Sequence, residues 1–159
     1  MEKHKKYTLF IIENNEAYSF MLKYKLQRHE EYRIVYFKSF EDYIESNGKP
    51  DIILLDYKLL YSCNQVILET LKVHSKSIPF ILLVALSEVT SAVSIMKEGV
   101  FEYIVKEADS TRLANKLFLK ITSILKKKET IKIKTKEMKM FLWLVLLILA
   151  VVIICWTVY

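Results

Sequence analysis

Five short apolar runs are spaced along the first hundred or so residues, and segments of helical character separate them. The sharpest run is Lys49-Pro50-Asp51-Ile52-Ile53-Leu54-Leu55-Asp56, a continuous apolar stretch bounded by Gly48 and Pro50 that ends abruptly in a carboxylate. A run without polar alternation reads as a parallel strand buried on both faces, here Asp51 to Leu55. Tyr7 to Ile12, Tyr32 to Phe37, Pro79 to Val84 and Phe101 to Val105 predict four more strands. Between the first two, Ala17, Phe20, Met21 and Tyr24 fall at i, i+3, i+4 and i+7 and predict the apolar face of a helix. Asn14 or Asn15 caps that helix. Ser39, with Asp42 three residues on, opens a short helix predicted to reach Asn47, with Gly48 past its end. Val66, Ile67, Thr70, Leu71 and His74 outline another helix, and Thr90 to Lys97 a further one with Gly99 at its exit. Ser110 is the expected cap of a last helix, whose apolar face is Leu113, Leu117, Ile121 and Ile124. Strand and helix alternate about five times, which predicts a parallel sheet with helices on both faces.

The pattern changes after residue 125. Lys126 to Lys139 holds seven lysines and two glutamates, and Phe141 to Tyr159 holds no charge, proline or glycine. As a helix the apolar run is roughly 28 Å long, against a hydrocarbon core of ~30 Å. Trp143 near one end and Trp156 and Tyr159 at the other suit the two interfaces. The expected organisation is a domain over 7–125, a basic juxtamembrane linker over 126–140 and a transmembrane helix over 141–159. This single-pass C-terminal anchor in the cell membrane would keep the main domain cytoplasmic, because the flanking lysines stay inside. They also attract anionic lipid. The anchor has no small-xxx-small pattern and so no dimerisation signal.

Composition and the N-terminal sequence add four exclusions. Net charge is +6, but the basic segment supplies +5 of it, so the first 125 residues carry about +1 and nucleic-acid binding is not expected. Cys63 and Cys155 fall in different regions, and no disulfide framework is implied. His4, His29 and His74 form no metal-ligand spacing and read as surface histidines. No apolar h-region follows the N-terminal Met, so no signal peptide is expected.

Chemistry concentrates at strand ends. In open α/β sheets, sites form at the carboxyl ends of strands. Glu13-Asn14, Asp56 and Lys106 end the first, third and fifth runs, and a sheet ordered 2-1-3-4-5 brings them to one edge. Acids there can hold Mg²⁺ through oxygen ligands, and a lysine beside them can neutralise a phosphoryl group. These are parts for moving phosphate onto a carboxylate.

With those residues in view, the chain over about 7 to 125 resembles the receiver domain of two-component response regulators. The resemblance rests on Pro50-Asp51-Ile52-Ile53-Leu54-Leu55-Asp56, on Ile78-Pro79-Phe80-Ile81-Leu82-Leu83-Val84-Ala85, and on Glu98-Gly99-Val100-Phe101-Glu102-Tyr103-Ile104-Val105-Lys106. It implies a doubly wound, flavodoxin-like α/β fold with a five-stranded parallel sheet in the order 2-1-3-4-5, to which the transmembrane helix is appended. It implies that Asp56 is the phosphoacceptor, and that Glu13, Asn14 and Asp56 hold a weakly bound Mg²⁺ with the carbonyl of Lys58. Lys106 would contact the phosphoryl oxygens, and Val84 and Tyr103 would occupy the switch positions. Partners implied are a histidine kinase or phosphotransfer protein, a downstream protein and the membrane. No enzyme activity is implied.

The departures from that family are specific. Asn14 stands where a second acid is usual, Val84 where a Ser or Thr is usual, and Glu107 and Leu60 where prolines are usual. Asn64 replaces a loop glycine and tolerates positive φ comparatively well. An amide brings no charge to a metal, and a valine offers no hydroxyl to a phosphate. Two functions therefore compete: a phosphoacceptor in a phosphorelay, favoured by Asp56 and Lys106, and a phosphorylation-independent pseudo-receiver that docks a partner at the membrane, favoured by Asn14 and Val84. For Lys106, an ion pair that merely holds Asp56 in place is the structural alternative to phosphate contact. An unrelated flavodoxin-like enzyme lacks support, because the chain has two glycines and no glycine-rich phosphate loop.

Overall fold

Each apolar run forms a strand within one residue of its expected limits: β1 (Tyr7–Ile12), β2 (Tyr32–Phe37), β3 (Ile52–Asp56), β4 (Phe80–Val84) and β5 (Phe101–Val105). The computed structural model describes residues 7–29, 31–61, 69–71, 73–74, 77–96 and 101–158. The strands make one parallel sheet in the order β2-β1-β3-β4-β5. Every residue of β3 and β4 is buried, which is why both read as unbroken apolar runs rather than alternating ones. On one face of the sheet Phe10, Ile12, Ile53, Leu55, Phe80, Leu82 and Val84 pack with Phe40, Tyr43, Tyr57, Leu60 and Leu71. Leu9, Ile11, Leu54, Ile81 and Leu83 alternate to the other face and are equally buried.

The helices are α1 (Glu16–Leu26), α2 (Phe40–Glu45), α3 (Tyr57–Tyr61), α4 (Val89–Met96) and α5 (Ser110–Val158). Residues 69–71 and 73–74 are also helical, with Leu71 in the core. Val66 and Ile67 of that predicted helix lie outside the described residues, as do Cys63, Asn64 and Gly99. Leu113, Leu117 and Ile121 are buried as their spacing predicts.

Three local expectations are corrected. The buried residues of α1 are Ser19, Leu22 and Leu26, while Phe20 is 72% and Tyr24 55% exposed. Apolar residues encircle this helix, so its periodicity fits two faces. The α2 helix stops at Glu45, and Asn47 rather than Gly48 takes the left-handed conformation, at φ 49°. Gly48 is needed for space instead: a Cβ there would lie 2.5 Å from the Phe10 ring. Asp109, not Ser110, caps α5, its Oδ1 accepting from the N–H groups of Thr111 and Arg112. The other caps fall as expected, with Asn15 accepting from Tyr18 N and Ser39 from Asp42 N. His29 and His74 are partly exposed and each has a partner. His29 stacks on Phe118 at 3.7 Å between ring centroids, and His74 Nδ1 shares a 3.0 Å hydrogen bond with the Tyr43 hydroxyl.

The chain divides into two units, Met1–Thr122 and Ser123–Tyr159. The second unit is helical throughout its described length, which suits a segment without proline or glycine. Among the described residues one helix is apolar and long enough to cross a membrane, and no part of its most apolar stretch is buried.

Candidate functional site

The site is built where β1, β3 and β5 end. Ile12 pairs with Leu55 in register, so the next residues, Glu13 and Asp56, emerge together at the carboxyl edge. Both are buried, at 0% and 2% exposed. Lys106 follows β5, and its N–H donates to the Val84 carbonyl at 2.7 Å, tying the two strand ends together. From there its ammonium reaches Asp56 Oδ1 at 2.8 Å and Glu13 Oε2 at 3.0 Å. One cation therefore bridges two buried carboxylates.

Each acid has further partners. Glu13 Oε1 accepts from Asn15 N at 3.0 Å, and its backbone carbonyl accepts from the Tyr36 hydroxyl. Asp56 Oδ1 receives a long 3.4 Å bond from Lys58 N, where the chain turns directly into α3. Burial pushes the Glu13 carboxyl above its ordinary value of 4.5, and the charge of Asp56 adds to that; the Asn15 N–H and Lys106 oppose it. A second carboxylate near a buried acid resists ionisation unless cations or donors compensate.

Tyr18, in the first turn of α1, packs against the same ammonium: Lys106 Nζ lies 4.5 Å from its ring centroid, a cation–π distance. Its hydroxyl is the one buried side-chain polar atom without a hydrogen-bond partner among the described residues. Such a group costs about 1–3 kcal/mol. Burial, together with the charges of Glu13 and Asp56, holds the phenol well above its ordinary value of 10.0, so it stays a protonated donor. Sequence reasoning missed this residue. The available signal was an aromatic one helical turn beyond the acid at a strand end.

The remaining residues of interest are distributed unevenly. Asn14 is exposed and takes no part in the hydrogen-bonded cluster, while its neighbour Asn15 does the capping. Val84 is fully buried at the end of β4 and faces the core without a polar atom. Tyr103 sits opposite Leu82 on β5 and is 37% exposed. Glu107, beside Lys106, pairs with Arg112 at 3.3 Å and with Lys116, both at the start of α5. Leu60 is buried in the core. The sequence paired Lys106 with Asp56; the structure adds Glu13 as an equal partner, 93 residues away in the chain.

The donors suit a hard cation in type. Mg²⁺ is usually bound through one or two carboxylates, with waters and phosphate completing its shell, and Glu13 and Asp56 are two such carboxylates. Among the described residues no group of three or more His, Cys, Asp or Glu is placed to hold a metal. Lys106 pairs with both acids but balances the charge of only one, so a divalent ion would share the acids with the ammonium or displace it.

Comparison with known proteins fits this geometry. The family profile described as response regulator receiver domain matches residues 9–118. Solved structures share the fold at low identity. A signal receiver domain from Vibrio parahaemolyticus superposes with a TM-score of 0.65 at 20% identity, covering 79% of this chain and 94% of its own. A response regulator receiver domain protein from Clostridium thermocellum gives 0.62 at 19%, covering 79% and 98%. A member of a family of redox sensors in the streptococci, described as evolved from two-component response regulators, gives 0.63 at 18%, covering 79% and 54%. Among curated proteins no sequence match was found.

Proposed function

The chain belongs to the response regulator receiver domain family, and from that premise we propose that it is a membrane-anchored receiver taking a phosphoryl group onto Asp56 from a histidine kinase or phosphotransfer protein. The observation that carries the reading is the buried Asp56 carboxylate held 2.8 Å from Lys106, with Glu13 on the same ammonium. Among the described residues the contacts to Asp56 converge on Oδ1, which leaves Oδ2 as the attacking oxygen. Lys106 orients the carboxylate before transfer and stands ready to pair with the phosphoryl oxygens after it. Glu13 keeps the ammonium in place when Asp56 loses its negative charge to the new bond. Glu13 and Asp56 would hold Mg²⁺, which when bound neutralises charge on the transferring group. The chain in this role is an acceptor and not an enzyme.

The anchor reading rests on an exposed apolar helix. Phe141, Trp143, Leu147, Ile153 and Trp156 are all more than half exposed, a surface that water disfavours and a bilayer accepts. The lysines between 126 and 139 would lie at the cytoplasmic headgroups, leaving the receiver in the cytoplasm.

A second reading is a pseudo-receiver that binds a membrane-localised partner without phosphorylation. It is favoured by Val84, by the exposed Asn14 and by an acid pair already bridged by Lys106. The streptococcal redox sensors are a neighbour described as having evolved from response regulators. Three measurements on the full-length chain test the first reading. It should remain with membranes after alkaline extraction, and protease added outside intact cells should spare the receiver. It should also acquire acid-stable, base-labile phosphate from a phosphohistidine-bearing donor with Mg²⁺. A soluble chain refutes the anchor, and persistent absence of label across donors turns the reading to the pseudo-receiver.

A further inference from the structure

Tyr18 is the buried polar group that the site leaves unexplained. Buried tyrosine hydroxyls ordinarily find a partner, and this one has none among the described residues. Its backbone is fixed by the Asn15 cap, through the bond from Tyr18 N to Asn15 Oδ1 at 3.0 Å. Its ring is fixed against Lys106 Nζ at 4.5 Å, the ammonium that also holds Asp56 and Glu13. The hydroxyl is thus carried on a preorganised ring beside the acid cluster. Across the edge, position 84 offers no hydroxyl at all.

We propose that the Tyr18 hydroxyl donates to the phosphoryl group borne by Asp56, supplying from α1 the hydroxyl contact that Val84 cannot supply from β4. The inference rests on Asp56 being the phosphoacceptor. In the step, an Asp56 carboxylate oxygen forms a bond to phosphorus as the bond from phosphorus to the donor breaks, at an imidazole nitrogen in phosphohistidine or at an oxygen in an acyl phosphate. With an acyl phosphate donor, the leaving carboxylate departs with that electron pair. No proton moves, and the Tyr18 hydroxyl keeps its own, as the fields of Glu13 and Asp56 favour. Its contribution is a donor already in place for the negative charge on the phosphoryl oxygens. The penalty of the unpaired hydroxyl in the resting state is relieved when that charge arrives.

The test uses the full-length chain in lipid nanodiscs, with a small acyl phosphate donor and Mg²⁺, following formation of acid-stable, base-labile phosphate and, separately, the thermal midpoint. Tyr18→Phe keeps the ring on Lys106 and deletes only the oxygen. It should slow labelling roughly tenfold to hundredfold while leaving the midpoint unchanged or raised, since an unpaired buried hydroxyl is removed. Adding Val84→Thr to Tyr18→Phe should recover the rate, because a hydroxyl returns to the site. A Tyr18→Phe chain that is labelled as fast as the parent overturns the inference and leaves Asp56 as acceptor. A slowed chain that melts lower and is not rescued by Val84→Thr assigns Tyr18 a packing role and also overturns it. If the parent chain takes no label, the acceptor reading falls and this inference with it.

Discussion

The two halves of the carboxyl edge differ in kind. At the ends of β1 and β3, Glu13 and Asp56 are buried and share the ammonium of Lys106, which reaches them from the end of β5 with Tyr18 stacked on it. Around β4 and β5, Val84 is buried and apolar, and Tyr103 is partly exposed with no hydroxyl at position 84 to engage it. The contrast separates two tasks that one edge can perform. Holding charge needs buried carboxylates and a cation. Reporting a change of charge needs a polar group that links the site to something that moves, and β4 lacks one at its end. Lys106 ties the halves, with its side chain on the acids and its N–H on the Val84 carbonyl. Because position 84 has no hydroxyl, a change at the acid cluster should propagate weakly toward Tyr103.

The largest expected effect comes from removing the shared cation. Lys106→Met strands two buried carboxylates, and breaking a buried ion pair costs about 3–5 kcal/mol. Urea titration of the full-length chain in micelles should show that loss at neutral pH. A loss below ~1 kcal/mol means that the acids are solvated and the cluster is not a unit. Val84→Thr acts on the other half. It places a hydroxyl among apolar neighbours and should cost about 1–2 kcal/mol. It should also sharpen the contrast, since a phosphodonor-dependent shift in the NMR signal of labelled Tyr103 is expected in Val84→Thr and should be small in the parent. Equal shifts in both would show that the halves communicate without the hydroxyl.

Asn14→Asp enlarges the charged half. A second acid at the end of β1 should tighten Mg²⁺ severalfold, read by calorimetry, and speed labelling of Asp56. Without metal it should lower stability modestly, through repulsion with Glu13 and Asp56. Unchanged metal affinity would mean that Asn14 does not turn toward the acids. The smallest effect is the pH slope. The Glu13 carboxyl is raised above 4.5 in the fold, so between 4.5 and its raised value the native chain holds more protons than the unfolded one. Stability then falls as pH rises through that window. Glu13→Gln should flatten the slope in urea titrations at several pH values, and a slope that survives the substitution must come from another group.

The middle of the sheet was legible because β3 and β4 are buried on both faces, and such strands announce themselves as apolar runs with sharp polar ends. Asp56 was legible for the same reason, as the carboxylate that closes such a run, and Lys106 as the cation that ends a run broken only by Glu102. The orientation of α1 was not. Ala17, Tyr18, Phe20, Met21, Leu22, Tyr24 and Leu26 surround its axis, and tertiary packing alone selects Ser19, Leu22 and Leu26 as the inner face. That ambiguity also hid Tyr18, which lies on the side turned toward Lys106. The bond from Lys106 to Glu13 was hidden because an ammonium has three donors and the sequence names no more than one obvious partner. The cap of α5 was misplaced by one residue because Asp109 and Ser110 are both good capping types.

The central claim is that Asp56 receives the phosphoryl group, and trapping the bond at its site tests that most directly. The full-length chain is incubated with a small phosphodonor and Mg²⁺, reduced with borohydride, which converts an aspartyl phosphate to homoserine, and mapped by peptide mass spectrometry. Homoserine at position 56, absent when donor is omitted and absent in Asp56→Asn, is the predicted result. An unreduced Asp56 across several donors at saturating Mg²⁺, or homoserine at another position that persists in Asp56→Asn, would contradict the account.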